Sequence, residues 1–250
     1  MCGPRTETRV GEATGGGYGA PMAMANGDGD GIEAIVFDFD GLILDTELPH
    51  YLTVKEEFEA HGAELHLDQW LSIIGRADHP HWTEWLEDAL GIPIEREAIQ
   101  ARRYAKYHEL VLRNEVLPGV LDLLDQAEAR RIPVAVASSS PADWVVPHLD
   151  RLGIVDRLLA VRTADDVERA KPWPDVFLAA VAALGADPER SVAFEDSHNG
   201  SKAAKAAGMF CVVVPNEMTR TQDFAHADLV VPSLADVRLT DLERAVIPVP

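Results

Sequence analysis

Phe37-Asp38-Phe39-Asp40-Gly41-Leu42-Ile43-Leu44-Asp45-Thr46 decides how this chain is read. The run ahead of it, Ala34-Ile35-Val36-Phe37, is apolar and rich in β-branched and aromatic side chains. That is the composition of a strand buried on both faces of a parallel sheet. Asp38 and Asp40 then stand at i and i+2, with a glycine directly after them. Open α/β sheets bind ligands outside the carboxyl ends of their strands. Burial of the apolar run thus delivers both carboxylates to the place where chemistry is expected. Two close carboxylates repel unless a cation or a shared proton offsets the charge, so the pair asks for a metal.

Upstream, residues 1–31 are glycine-rich and include Gly15-Gly16-Gly17 and Gly27-Asp28-Gly29-Asp30-Gly31. Too little apolar surface is available there to offset the entropy of ordering, and a disordered tail is expected. The glycines are not a phosphate loop, because no strand precedes them and no Gly-Lys-Ser/Thr follows. Downstream, residues 47–116 read as wholly helical, with helices at about 47–61, 67–73, 79–90 and 95–113. Thr46 is the expected N-cap of the first, with Pro49 where a missing N–H is tolerated. From Pro118 onward, strands and helices alternate. Strands are expected at Pro133–Ser138, Leu158–Arg162, Ser191–Glu195, Phe210–Val214 and Leu229–Val231, and helices at about 119–130, 142–152, 174–184, 198–207 and 234–245. Such alternation predicts an α/β fold, a parallel sheet with helices on both faces. The domain reading is a core of residues 32–46 and 117–250, interrupted by an all-helical unit of residues 47–116.

The chain has 250 residues and a formal net charge of −20. Nucleic acid is held mainly by clustered Lys and Arg, so a polyanionic partner is not expected. A small phosphorylated ligand remains compatible, because a pocket can be cationic inside an acidic protein. The cysteines are Cys2 and Cys211, the latter in the strand-like run Phe210–Val214. No disulfide framework is expected, and a cytoplasmic, reducing setting fits. Neither a signal peptide nor a bilayer-spanning run is read, so no membrane partner is expected.

Three further strand ends carry polar residues. Val134-Ala135-Val136-Ala137 meets Ser138-Ser139-Ser140, whose hydroxyls and N–H groups suit a phosphate oxygen. Alone, this reads as a serine turn capping the next helix. Lys171 lies in Lys171-Pro172-Trp173-Pro174-Asp175; alone, it reads as a solvated lysine. Val192-Ala193-Phe194-Glu195-Asp196-Ser197-His198-Asn199-Gly200 ends a strand in two acids, which suit a hard cation such as Mg²⁺ or a helix N-cap.

Together these four elements resemble, in order and spacing, the four motifs of the haloacid dehalogenase-like superfamily. The chain resembles the β-phosphoglucomutase-like and phosphatase branch (subfamily IA), over about residues 32–232. The resemblance implies a Rossmann-like core with the helical unit as a cap. It also implies an aspartyl-phosphate mechanism on a small phosphorylated substrate. Asp38 would be the nucleophile and Asp40 the general acid and base. Lys171 would offset negative charge, while Ser138 and Ser139 would hold phosphoryl oxygens. Mg²⁺ would be held by Asp38, the Asp40 carbonyl and Asp196 with help from Glu195. The dehalogenases of the superfamily lack the second carboxylate, so dehalogenation is not expected. A catalytically silent binding protein is disfavoured by the complete motif set. The protein is expected to act as a monomer.

Mutases of this branch carry a Lys-Gly-x-Ser-Arg stretch in the cap. The segment here is Ile74-Gly75-Arg76-Ala77-Asp78. After Ser138, where mutases place basic and amide residues, this chain has Pro141 and Ala142, whose side chains donate no hydrogen bond. A phosphatase is therefore favoured over a phosphosugar mutase. His50 stands at the mutase position that links cap closure with the acid–base residue, and with Arg76 it is a candidate substrate contact. Trp82 and Trp85 read as a packing stripe. His79 and His81 read as surface residues rather than a metal pair.

Overall fold

The computed structural model describes residues 31–74 and 80–246. The tail expectation therefore falls, apart from Gly31, outside the described residues, as do Cys2, Arg76 and His79. Six strands form one sheet: β1 Ala34–Phe37, β2 Val134–Ala137, β3 Ala160–Arg162, β4 Ser191–Glu195, β5 Phe210–Val213 and β6 Leu229–Val230. Their order is β3-β2-β1-β4-β5-β6, and every pairing is parallel. Val36 pairs with Ala135 on one side and Ala193 on the other, so β1 lies at the centre. The chain leaves β1 toward β2 in one direction and reaches β4 in the other. The crevice of a doubly wound sheet opens at such a reversal.

Alternation along each strand splits the core in two. Ile35, Phe37, Val134, Val136, Val192, Phe194 and Val212 face helices α5 (Val120–Arg130), α6 (Ala142–Arg151) and α9 (Leu239–Val246). Val36, Ala135, Ala137, Ala193, Cys211 and Val213 face α7 (Asp175–Leu184) and α8 (His198–Ala206). Phe37 and Phe194 stack at 5.0 Å on the first face. Burying each such ring contributes ~1.5–3 kcal/mol, which fixes β1 against β4 at the point where both end in acids. Cys211 is buried and free, a small apolar residue of β5 as read from the sequence.

Between β1 and α5 lie α1 (Glu47–Ala60), α2 (Leu67–Leu71), α3 (Trp82–Leu90) and α4 (Arg96–Val111). They share a separate apolar cluster containing Val54, Phe58, Trp70, Ile74, Trp82 and Leu86, with Trp85 packed against it. The expected packing role of both tryptophans is borne out. Met218, from the segment after β5, also enters this cluster. No helix among the described residues is long and apolar enough to cross a membrane.

Several local expectations need correction. Thr46 does not cap α1 with its side chain; the hydroxyl donates to Asp40 instead. α3 begins at Trp82 rather than near 79, and His81 caps it by accepting from the Thr83 N–H at 3.3 Å. His81 is accordingly half-buried rather than a surface residue. The helix expected over 234–245 is a 3₁₀ turn, Leu234–Asp236, followed by α9. Ser233 ties its side chain to the Ala235 N–H, and Val237 is extended, so the helix restarts after it.

Candidate active site

Burial of β1, β2 and β4 brings their carboxyl ends side by side. Asp38, Asp40, Ser139, Lys171, Asp196 and His50 line one cavity of about 410 Å³. Ser138 and Glu195 stand directly behind them, each bonded to a lining residue. Arg76 lies outside the described residues.

Lys171 is 3% exposed, so the solvated reading of this residue fails. Its Nζ donates to Asp38 and, at 2.7 Å, to Glu195 Oε1. Its backbone N–H donates to the Ser139 hydroxyl at 3.3 Å. Burial opposes its charge, but Asp38 and Glu195 carry its pKa above the ordinary lysine range. The second Glu195 oxygen accepts from Asp196 N–H at 2.9 Å, Ser197 N–H at 3.0 Å and Ser197 Oγ at 3.0 Å. Glu195 is thus fully engaged and braces its neighbours. Gly200 permits this: a Cβ there would lie 1.8 Å from Glu195 Oε1, so only glycine lets α8 approach the carboxylate.

Asp196 is held by Asn216, whose Nδ2 donates to Asp196 Oδ2 at 2.7 Å and to the Gly41 carbonyl at 3.2 Å. Gly41 has φ +82°, and a Cβ on it would meet Asp196 Oδ2 at 2.5 Å. The turn after the two aspartates therefore requires glycine both conformationally and sterically. One oxygen each of Asp38, Glu195 and Asp196 lies within 4.8 Å of the others. Burial pushes Asp38 up to about 8, with Glu195 and Asp40 adding to the shift and Lys171 opposing it. Burial and then Glu195 and Asp38 hold Asp196 well above the carboxylate range. One lysine does not neutralise three buried acids. Hard oxygen donors crowded in this way fit a small divalent cation.

Asp40 accepts four hydrogen bonds. Thr46 Oγ1 and Trp144 Nε1 reach Oδ1 at 3.0 and 2.9 Å, and Ser138 Oγ and Ser140 Oγ reach Oδ2 at 3.2 and 2.6 Å. The Ser138 hydroxyl is therefore turned to Asp40 here rather than to the cavity. Sequence reasoning missed Trp144, which lies on α6 at a position read as ordinary helix. Its ring stacks on Tyr107 of α4 at 5.3 Å and 15°. It also missed Glu47, Arg103, Tyr104 and Tyr107 in the cavity wall. Burial, then Asp40, Asp38 and Asp45, push Glu47 up to about 8. The clustering of acids after β1 was the available signal for Glu47. His50 packs edge-on to Trp70 at 4.8 Å and tilted to Tyr107 at 5.2 Å, so it is both a packed ring and a cavity residue.

Comparison with known proteins places this geometry. Residues 32–208 match the family model of the haloacid dehalogenase-like hydrolases. The chain belongs to that family. YhcW of Bacillus subtilis, which is named as a phosphatase, is 41% identical over 208 residues, covering 83% of this chain and 94% of that protein. The validoxylamine A 7'-phosphate phosphatase of Streptomyces hygroscopicus is 31% identical over 206 residues, covering 81% and 94%. The structure of CbbY from Rhodobacter sphaeroides in complex with phosphate superposes with a TM-score of 0.63 at 29% identity, covering 82% of this chain and 96% of that one.

Proposed function

We propose that this protein is a Mg²⁺-dependent phosphatase acting on a small phosphate monoester, a phosphosugar by chemical class, through an aspartyl-phosphate intermediate. One observation carries the reading: Asp38 lies buried against Lys171 at the crevice of the sheet, with a second carboxylate, Asp40, two residues on. Phosphatase names among the relatives support it.

An Asp38 oxygen attacks phosphorus while the bond to the leaving alkoxide breaks. Asp40 gives that alkoxide its proton, then takes one from the attacking water as the phosphorus–Asp38 bond breaks and phosphate leaves. Asp40 is suited to both duties because three of its four donors are hydroxyls that can rotate from donor to acceptor. The Trp144 N–H cannot rotate in that way, so it fixes Oδ1 as the acceptor oxygen and leaves Oδ2 to carry the proton. Lys171 holds Asp38 and offsets charge, Ser139 orients a phosphoryl oxygen from the cavity wall, and Ser138 reaches one by turning its hydroxyl away from Asp40. Asp38, the Asp40 carbonyl and Asp196 would hold Mg²⁺, with Glu195 bracing Asp196. Bound there, the ion would screen the repulsion between the carboxylates and the phosphate. The helical segment, residues 47–116, serves as the cap that closes over the substrate, and the free, buried Cys211 fits a reducing cytoplasm.

Hydrolysis is favoured over a mutase reaction because Pro141 presents no donor to the cavity it lines, and the Ala142 N–H is bonded to Asp165 at 2.8 Å. Phosphate release from a panel of monoesters, with Mg²⁺ and with chelator, tests the reading. Expected are metal-dependent release and a loss of at least about 10³-fold in Asp38→Asn. Full turnover in that variant, or isomerisation of a hexose 1-phosphate outpacing hydrolysis, overturns it.

A further inference from the structure

Arg103, on α4, is 9% exposed, and its Nε and Nη1 have no hydrogen-bond partner among the described residues. Its Cζ lies 5.3 Å from the Tyr107 ring centroid and 5.8 Å from that of Trp82. The carboxylate that acts on it, Glu57, is already clasped by Arg102 at 3.1 and 2.5 Å. The other titratable groups it interacts with are Tyr104, Tyr107 and His108, and none of them carries a negative charge at neutral pH. Burial pushes the guanidinium pKa down. An unpaired buried charge costs several kcal/mol, of which aromatic faces return about 2. The contrast with Lys171 is direct, since that buried cation has two carboxylates.

Arg103 lines the same cavity as Asp38 and Asp40. It enters from the helical side, whereas Lys171 serves the strand-end side. A cavity of about 410 Å³ accommodates more than a phosphoryl group. We propose that Arg103 determines specificity by binding an anionic group, a carboxylate or a second phosphate, on the part of the substrate that is not transferred. The inference rests on the phosphatase reading and narrows its substrate class. One such cation fixes one orientation of the substrate, and it does not restore the donors absent at Pro141 and Ala142.

The test compares wild type, Arg103→Met and Arg103→Lys on glucose 6-phosphate, 6-phosphogluconate and fructose 1,6-bisphosphate with Mg²⁺. Expected is wild-type preference for one of the two compounds with an extra anion; which one separates carboxylate from phosphate. Arg103→Met should lose about 30-fold or more in kcat/KM on that compound, carried by KM, and less than about threefold on glucose 6-phosphate. Arg103→Lys should recover part of the loss. Without ligand, Arg103→Met should melt higher than wild type, because an uncompensated charge is removed. An arginine with only a structural role predicts the reverse. Equal losses on all three compounds, or a lower melting temperature, overturn the inference while leaving the phosphatase reading intact. If wild type releases no phosphate, that reading fails, yet ligand-induced melting shifts still judge Arg103. Shifts by the compounds with an extra anion must then exceed the glucose 6-phosphate shift in wild type and not in Arg103→Met; equal shifts overturn it.

Discussion

The two walls of the cavity treat charge in opposite ways. At the strand ends, Lys171 sits between Asp38 and Glu195, and Glu195 in turn accepts from Asp196 and Ser197. On the helical side, Arg103 is buried against rings with no acid to itself among the described residues. The first wall is preorganised around a reaction whose charges are the same for every phosphate monoester. The second is left incomplete, which is how a protein registers one substrate against another. Removing a cation should therefore have opposite signs on the two sides.

Lys171→Met is the strongest way to break this contrast. It leaves buried carboxylates unpaired and should cost about 3–5 kcal/mol in metal-free denaturant unfolding, whereas Arg103→Met stabilises. Two losses of similar size would mean that the walls do not differ. Trp144→Phe sharpens the comparison at the seam between them. It keeps the stack on Tyr107 and removes the N–H to Asp40, so kcat should fall about tenfold, or about 1.4 kcal/mol. KM should stay near its original value, and the kcat–pH profile should shift. A change confined to melting temperature would reduce Trp144 to packing.

Glu47 provides an effect that accumulates with pH rather than appearing at one condition. Its folded pKa, about 8, lies above its ordinary value of 4.5. The stability it contributes is therefore fully present below about pH 4.5 and is lost as pH rises through 8. In metal-free protein, unfolding free energy should decline across that window with a slope of at most about 1.4 kcal/mol per pH unit from this group. Glu47→Gln should flatten the decline, as read by urea unfolding at stepped pH; an unchanged slope would assign it to other groups.

What the sequence disclosed follows from the range of the interactions involved. β1, β2, β4 and β5 were legible because continuous apolar runs bounded by polar residues have few other ways to be buried. The residues at their ends were legible because a strand end is defined by the strand. Ser138, Lys171, Glu195 and Asp196 could each be located, although only their joint order gave them meaning. Trp144, Thr46, Asn216 and Arg103 were not legible. Two of them act across separations along the chain that no local pattern encodes: Trp144 reaches Asp40 from 104 residues away, and Asn216 reaches Gly41 from 175. Thr46 shows the failure most plainly. It stands where a helix cap belongs, yet its hydroxyl goes to Asp40.

Asn216 and Met218 have a mechanical consequence. The Asn216 amide grips Asp196 and the Gly41 carbonyl, its Oδ1 accepts from the Met218 N–H at 2.8 Å, and the Met218 side chain is embedded among the apolar residues of the helical layer. Three residues of chain thus form a short lever between the two layers. The position of Asp196 and the seat of Met218 in the helical layer are fixed by one and the same short segment, so the acid cluster and the layer above it share a single anchor.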